Sequence, residues 1–182
     1  MIASASAFEL LKVEKGIEKD GLHRDLITNF TWKADTKEEL QNCGLVFIEN
    51  VTKDTYIYLE EVKGLKGFEF WPHTPIDIEK PASVSEDHPF IWRTQLKDSV
   101  QNNAYTYHVA DSKGKPVSSF DLEKAVFPLE MTSSVKYEIH LRYQSVGPGM
   151  EYSNISFGGD TQVKLSCDNK QTALYYFSEN FR

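Results

Sequence analysis

His23-Arg24-Asp25-Leu26 carries the strongest chemical association in this 182-residue sequence. The same four residue types open the protein-kinase catalytic loop, H-R-D-L-x-x-x-N, where the Asp accepts the substrate hydroxyl proton and the Asn holds a metal ion. Here Phe30 stands at the Asn position, and Asn29 falls one residue short. Only 22 residues precede His23, too few for a nucleotide-binding lobe, and neither a Gly-rich loop nor a D-F-G triplet accompanies it. Hydrolytic chemistry fares no better. There is no G-x-S-x-G elbow, and none of the five histidines sits in an H-E-x-x-H or Cys/His zinc spacing. Glu60-Glu61 is an adjacent acid pair of the kind that is usually solvated. A glycosidase built from two distant acids would have its spacing only in the fold, and no motif points to one. The expectation is therefore no catalytic residue, no cofactor-binding residue and no metal ligand.

The element that must position the remaining candidates is Val135–Tyr143. Its odd positions, Val135, Tyr137, Ile139, Leu141 and Tyr143, are apolar or aromatic, and its even positions are charged or polar. Side chains on a strand alternate between faces, so this predicts one long strand with a buried face and a wet face. His140 and Arg142 then share the wet face. They are either ordinary solvent-facing residues or a patch for an anionic or protein partner, because Arg is favoured at interfaces.

Shorter β-rich runs surround that strand: Leu26–Trp32, Leu45–Ile48, Thr55–Leu59, Phe90–Thr94, Ala104–Val109, Val163–Cys167 and Ala173–Phe177. Asp35 with Glu38 three residues later reads as a capping-box-like start of a short helix ending near Cys43. Gly64, Gly67 and Pro72 suggest a loop or irregular edge, Ile76–Glu79 alternates briefly, and Ser119–Val126 has room for a helical turn. Turn signals every 8–15 residues predict an all-β protein with minor helical turns, sandwich-like, in a single domain over 21–182. Residues 1–20 read as a poorly defined extension. Aromatic residues at 13% suit pleated surfaces.

A net charge of −7 repels a phosphate backbone, which argues against nucleic acid. No apolar run approaches the ~20 residues that cross a bilayer, and Met1–Val13 lacks the basic start of a signal peptide. Those features alone suit a soluble chain. Three Asn-x-Ser/Thr sequons, at Asn29, Asn50 and Asn154, pull toward a glycosylating compartment. Cys43 and Cys167 are either two buried thiols or one long-range disulfide, and the compartment decides between them.

The order of motifs carries a resemblance. Gly21-Leu22-His23-Arg24-Asp25-Leu26 comes first, then Cys43 preceded by Leu40, then Ile76-Asp77-Ile78-Glu79-Lys80-Pro81, then His140-Leu141-Arg142-Tyr143-Gln144, then Cys167. From about Gly21 to Asp168 this series resembles the PIG-X family, accessory subunits of GPI mannosyltransferase I. The resemblance implies a non-catalytic endoplasmic reticulum membrane glycoprotein with a lumenal β-domain. Such a protein binds and stabilises a polytopic catalytic subunit, which transfers the first mannose from dolichol-phosphate-mannose to the GPI-anchor precursor. The sequons and cysteines fit that lumen. Membrane association is expected through a C-terminal helix that this sequence does not contain. The residues expected to cluster are His23, Arg24, Asp25, His140, Arg142 and Tyr143, as a partner-facing patch or as a structural group in which Asp25 pairs with Arg142. A carbohydrate-binding β-sandwich is the alternative, and it requires an exposed groove holding Tyr105, Tyr107 or Trp92.

Overall fold

The computed structural model describes residues 8–62, 68–71, 76–95, 107–111, 113, 124–145, 148–149, 154–158, 161–167 and 170–177. Among the described residues, ten strands form two antiparallel five-stranded sheets. The first sheet contains β1 (Glu9–Glu18), β2 (His23–Ala34), β8 (Leu129–Leu141) and β4 (Thr55–Tyr56) in that order, with β7 (Tyr107–Asp111) also paired along β8. The second runs β10 (Lys170–Phe177), β9 (Thr161–Cys167), β3 (Cys43–Val51), β6 (His88–Gln95), β5 (Phe68–Trp71). The fold is all-β and sandwich-like, as expected. Among the described residues two short α-helices interrupt it, α1 (Lys37–Asn42) and α2 (Leu59–Val62), with one 3-10 turn at Ala82–Val84. Among the described residues no helix is long and apolar enough to cross a membrane.

The core lies between the sheets. Alternate residues of β2 (Leu26, Thr28, Phe30, Trp32, Ala34) and of β8 (Met131, Ser133, Val135, Tyr137, Ile139) are buried. They meet Leu45 and Phe47 of β3, Phe90 and Trp92 of β6, and Val163 and Leu165 of β9. Phe47 and Trp92 stack at 3.8 Å, and Phe30 tilts onto Phe47 from the other sheet at 5.2 Å. Tilted aromatic pairs such as Phe30–Phe47 add to plain area burial. The Trp32 indole N–H donates to Ser133 Oγ at 3.0 Å, which satisfies the one polar group of a ring with no exposure.

Several expectations need correction. Order does not begin at Gly21. β1 pairs with β2 from Glu9↔Lys33 to Glu18↔Asp25, and Phe8 and Leu10 enter the core. A register shift between Leu10 and Lys12 hides the strand from period counting: one extra residue breaks the two-residue repeat, and Leu11 turns outward. Thr36, not Asp35, caps α1. Its Oγ accepts from Glu39 N–H, and Glu39 Oε2 accepts from the N–H groups of Asp35 and Thr36. Phe68–Trp71 is an edge strand where glycines suggested a loop, and Ile76–Glu79 forms no strand. Thr55–Leu59 is a strand only at Thr55 and Tyr56 before α2 begins. Most of Ser119–Val126, including 119–123, lies outside the described residues.

Cys43 and Cys167 are directly opposed in the β3–β9 ladder and are joined by a disulfide. A second internal tie is ionic. Lys15 of β1 lies 3.0 Å from Glu49 of β3, both side chains 4% exposed, and Tyr137 of β8 donates its hydroxyl to Glu49 Oε2 at 2.6 Å.

Candidate functional site

Antiparallel pairing brings the start of β2 beside the end of β8. His23 stands directly opposite His140, Arg24 opposite Ile139, and Asp25 opposite Glu138. The two imidazole centroids are 4.4 Å apart, edge to face. Glu138 precedes His140 by two residues and shares its outer face. His23 Nδ1 lies 2.8 Å from Glu138 Oε1. His140 Nε2 lies 2.8 Å from Glu61 Oε2 on α2 and 3.6 Å from Glu138 Oε1. A carboxylate only accepts, so the imidazole nitrogens facing these oxygens carry the protons. Tyr56 pairs with His140 from β4, their rings stacked at 4.9 Å, and Tyr58 meets the same imidazole edge-on at 6.4 Å.

The alternation that predicted a wet face for His140 and Arg142 fails at this end of β8. Val135, Tyr137 and Ile139 are buried as expected, but His140 and Arg142 are only 6% and 5% exposed. Tyr143, placed on the buried face by period two, is 75% exposed. The physical reason is local cover. Helix α2 and the segment 76–85 fold over the outer face just where β8 ends. Arg142 donates from Nη1 to the carbonyls of Asp77 and Lys80 at 2.7 and 2.8 Å, and its guanidinium sits 5.0 Å from the centre of the Tyr56 ring. The Ala82 N–H donates to the Tyr143 carbonyl at 3.0 Å. Burial pulls the Arg142 guanidinium below its ordinary pKa.

The expected Asp25–Arg142 pair does not form. Asp25 is buried and binds Lys19 at 2.7 Å and Lys136 at 2.8 Å. Arg24 instead closes the β1–β2 hairpin, donating to the carbonyls of Gly21 at 2.9 Å and Lys19 at 3.1 Å. That turn needs Gly21 at φ +96°, a conformation costly for a residue with a Cβ. Of the six expected residues, His23 and His140 touch, Asp25 faces lysines, Arg24 and Arg142 hold backbone carbonyls, and Tyr143 faces solvent. Glu61, read as a solvated acid, contacts a buried histidine. Glu138 was legible as a polar-face neighbour of His140; Tyr56, Lys19 and Lys136 carried no signal of their role.

A shallow cleft of about 390 Å³ adjoins the histidines, lined by Lys19, Asp25, Lys136, Glu138 and Glu61. Burial pushes the Asp25 carboxyl up, but hydrogen bonds from Lys136 and Lys19 outweigh it and leave the pKa below the usual value. A lowered carboxyl pKa contributes stability that is complete above the unfolded value, about 3.9, and is lost as pH falls through the folded value. In urea titrations wild-type protein is therefore expected to lose this contribution below about pH 4. Asp25→Asn is expected to be weaker at neutral pH and to show a flatter acid limb. An unchanged acid limb in the variant would refute the assignment.

Trp92 is wholly buried against Phe47, so it cannot line a sugar-stacking groove. Tyr105 and the Tyr107 side chain lie outside the described residues.

The fold and the cluster together define a class: an all-β sandwich with a histidine–carboxylate cluster where the start of β2 meets the end of β8. The chain belongs to the PIG-X / PBN1 family, whose sequence profile residues 19–181 match. This is a family of regulatory subunits associated with the endoplasmic reticulum machinery of GPI-anchor biosynthesis, and membership implies association with a mannosyltransferase. No curated protein matches the chain. Among solved structures it is similar to the collagen-binding subdomain of the surface protein ACE from Enterococcus faecalis, at 9% identity over 94% of each chain with a TM-score of 0.34. At that level the likeness carries no argument.

Proposed function

We propose that this protein is the accessory subunit that binds and stabilises the catalytic subunit of GPI mannosyltransferase I on the lumenal side of the endoplasmic reticulum membrane, without performing chemistry itself. The supporting observation is the family match over residues 19–181. The Cys43–Cys167 disulfide suits an oxidising lumen. So do the exposed sequon residues Asn50 and Asn154; Asn29 is half-buried in mid-sheet between Glu14 and Ser134 and is the poorest glycan acceptor of the three.

The docking surface we assign to the catalytic subunit is the corner around Tyr143. Leu22, Tyr58 and Tyr143 are exposed there at 51%, 38% and 75%. The Leu22 carbonyl accepts from Leu141 N–H, Tyr58 rests on His140, and Tyr143 follows the anchored Arg142, so the three share one end of the sheet. Arg142 then supports the patch from beneath. Paired variants separate the roles. Tyr143→Ala is expected to keep the melting temperature of wild type and to recover several-fold less mannosyltransferase when purified from cells. Arg142→Ala removes two charge-assisted hydrogen bonds, each worth roughly 1.5–3 kcal/mol, and is expected to cost about 3–6 kcal/mol of stability. Equal recovery of the transferase with Tyr143→Ala, Leu22→Ala and their combination would exclude this surface. Failure of wild-type protein to co-purify with any polytopic mannosyltransferase would exclude the function itself.

A further inference from the structure

The geometry points to a divalent-cation site of the zinc class at the histidine corner, formed by His23 Nδ1, His140 Nε2 and a carboxylate oxygen of Glu138, with Glu61 as the fourth ligand. The ligand atoms of His23, Glu138 and His140 all lie within 4.8 Å of one another. Tetrahedral zinc, with bonds of about 2.0–2.1 Å, requires its ligand atoms roughly 3.3–3.4 Å apart. The present separations of 2.8 Å (His23–Glu138) and 3.6 Å (His140–Glu138) bracket that value. Glu61 Oε2 lies 2.8 Å from His140 Nε2 but outside the group of three, so it would have to swing toward His23 and Glu138 to complete the shell. Imidazole nitrogens with carboxylate oxygens suit zinc and its first-row neighbours rather than calcium or magnesium, which prefer all-oxygen shells.

The mountings are suited to this. His140 and Glu138 belong to one strand and His23 to its hydrogen-bonded neighbour, so three ligands have fixed origins. His140 is held by the Tyr56 stack, while His23, with a side chain 62% exposed, is free to make the small adjustment that closure needs. A cation there would take the two ring nitrogens that face the carboxylates, the proton of each imidazole moving to its other nitrogen, and would join β2, β8 and α2 at a single point. With Glu61 drawn in, four protein ligands would leave no open position, which makes the proposed site structural rather than catalytic.

The test uses the full chain freed of metal by a chelator, then titrated with zinc alone against a chromophoric competitor and with cobalt(II) as a spectroscopic reporter. One zinc per chain is expected, together with the strong visible absorption of four-coordinate cobalt and a rise in melting temperature. His23→Ala should abolish the zinc-induced rise in melting temperature, measured against the variant's own metal-free value, and weaken zinc at least about tenfold; Glu138→Gln should weaken it likewise. No saturable uptake by wild type would overturn the proposal. So would a weak six-coordinate cobalt spectrum, or equal zinc affinity in the His23→Ala and Glu138→Gln variants.

Discussion

Replacing Cys43 and Cys167 together by alanine is expected to lower the free energy of unfolding by about 5 kcal/mol. The bridge joins residues 124 apart in sequence. Closing a loop of that length removes conformational freedom mainly from the unfolded chain, and the estimate follows from its size. The β3–β9 register sets Cys43 directly opposite Cys167. The bond also pins the strand through which the β9–β10 hairpin joins the second sheet. Since small single domains have only about 5–15 kcal/mol in total, most of the folded population at body temperature is at stake. Urea unfolding of the double variant, beside reduced wild-type protein, measures the effect, and the two should agree. A loss below about 1 kcal/mol in both would show that the bond does not constrain the unfolded chain as argued.

The second large effect is expected at Glu49. Its carboxylate lies 3.0 Å from Lys15 and accepts from the Tyr137 hydroxyl, so one side chain of the second sheet holds two strands of the first. Removing one member of a buried ion pair leaves a charge that water no longer compensates, which typically costs 3–5 kcal/mol. Glu49→Ala should fall in that range by urea unfolding. Replacing the pair together, as Lys15→Met with Glu49→Met, should recover much of the loss, because the desolvation of both charges disappears with them. Recovery will be incomplete, because the Tyr137 hydroxyl loses its acceptor. If Glu49→Ala lies within about 0.5 kcal/mol of wild type, the pair is not excluded from solvent as described.

Much of the architecture was legible in the residues. The core half of β8, the β2 face carrying Phe30 and Trp32, and the strands β3, β6, β9 and β10 follow from short-range alternation and β-rich runs, because one buried face imposes a two-residue period. What escaped were places where a third element intervenes. The bulge at Leu11 moved β1 out of phase. Segment 76–85 and α2 covered His140 and Arg142, reversing their exposure relative to Tyr143. Period counting assumes that the outer face is wet, and it carries no information about what folds back over a strand from elsewhere.

The sequence by itself determined the sheet-forming runs and the family of this protein, because alternation and motif order are properties of consecutive residues. The tertiary structure alone decided who meets whom: Asp25 with Lys19 and Lys136, Lys15 with Glu49, Cys43 with Cys167, and His23 with His140. Each partnership joins two strands, or a strand and the β1–β2 turn at Lys19, and its geometry is set by register and by the cover of neighbouring segments. Neither is encoded in the local spacing of the residues that take part.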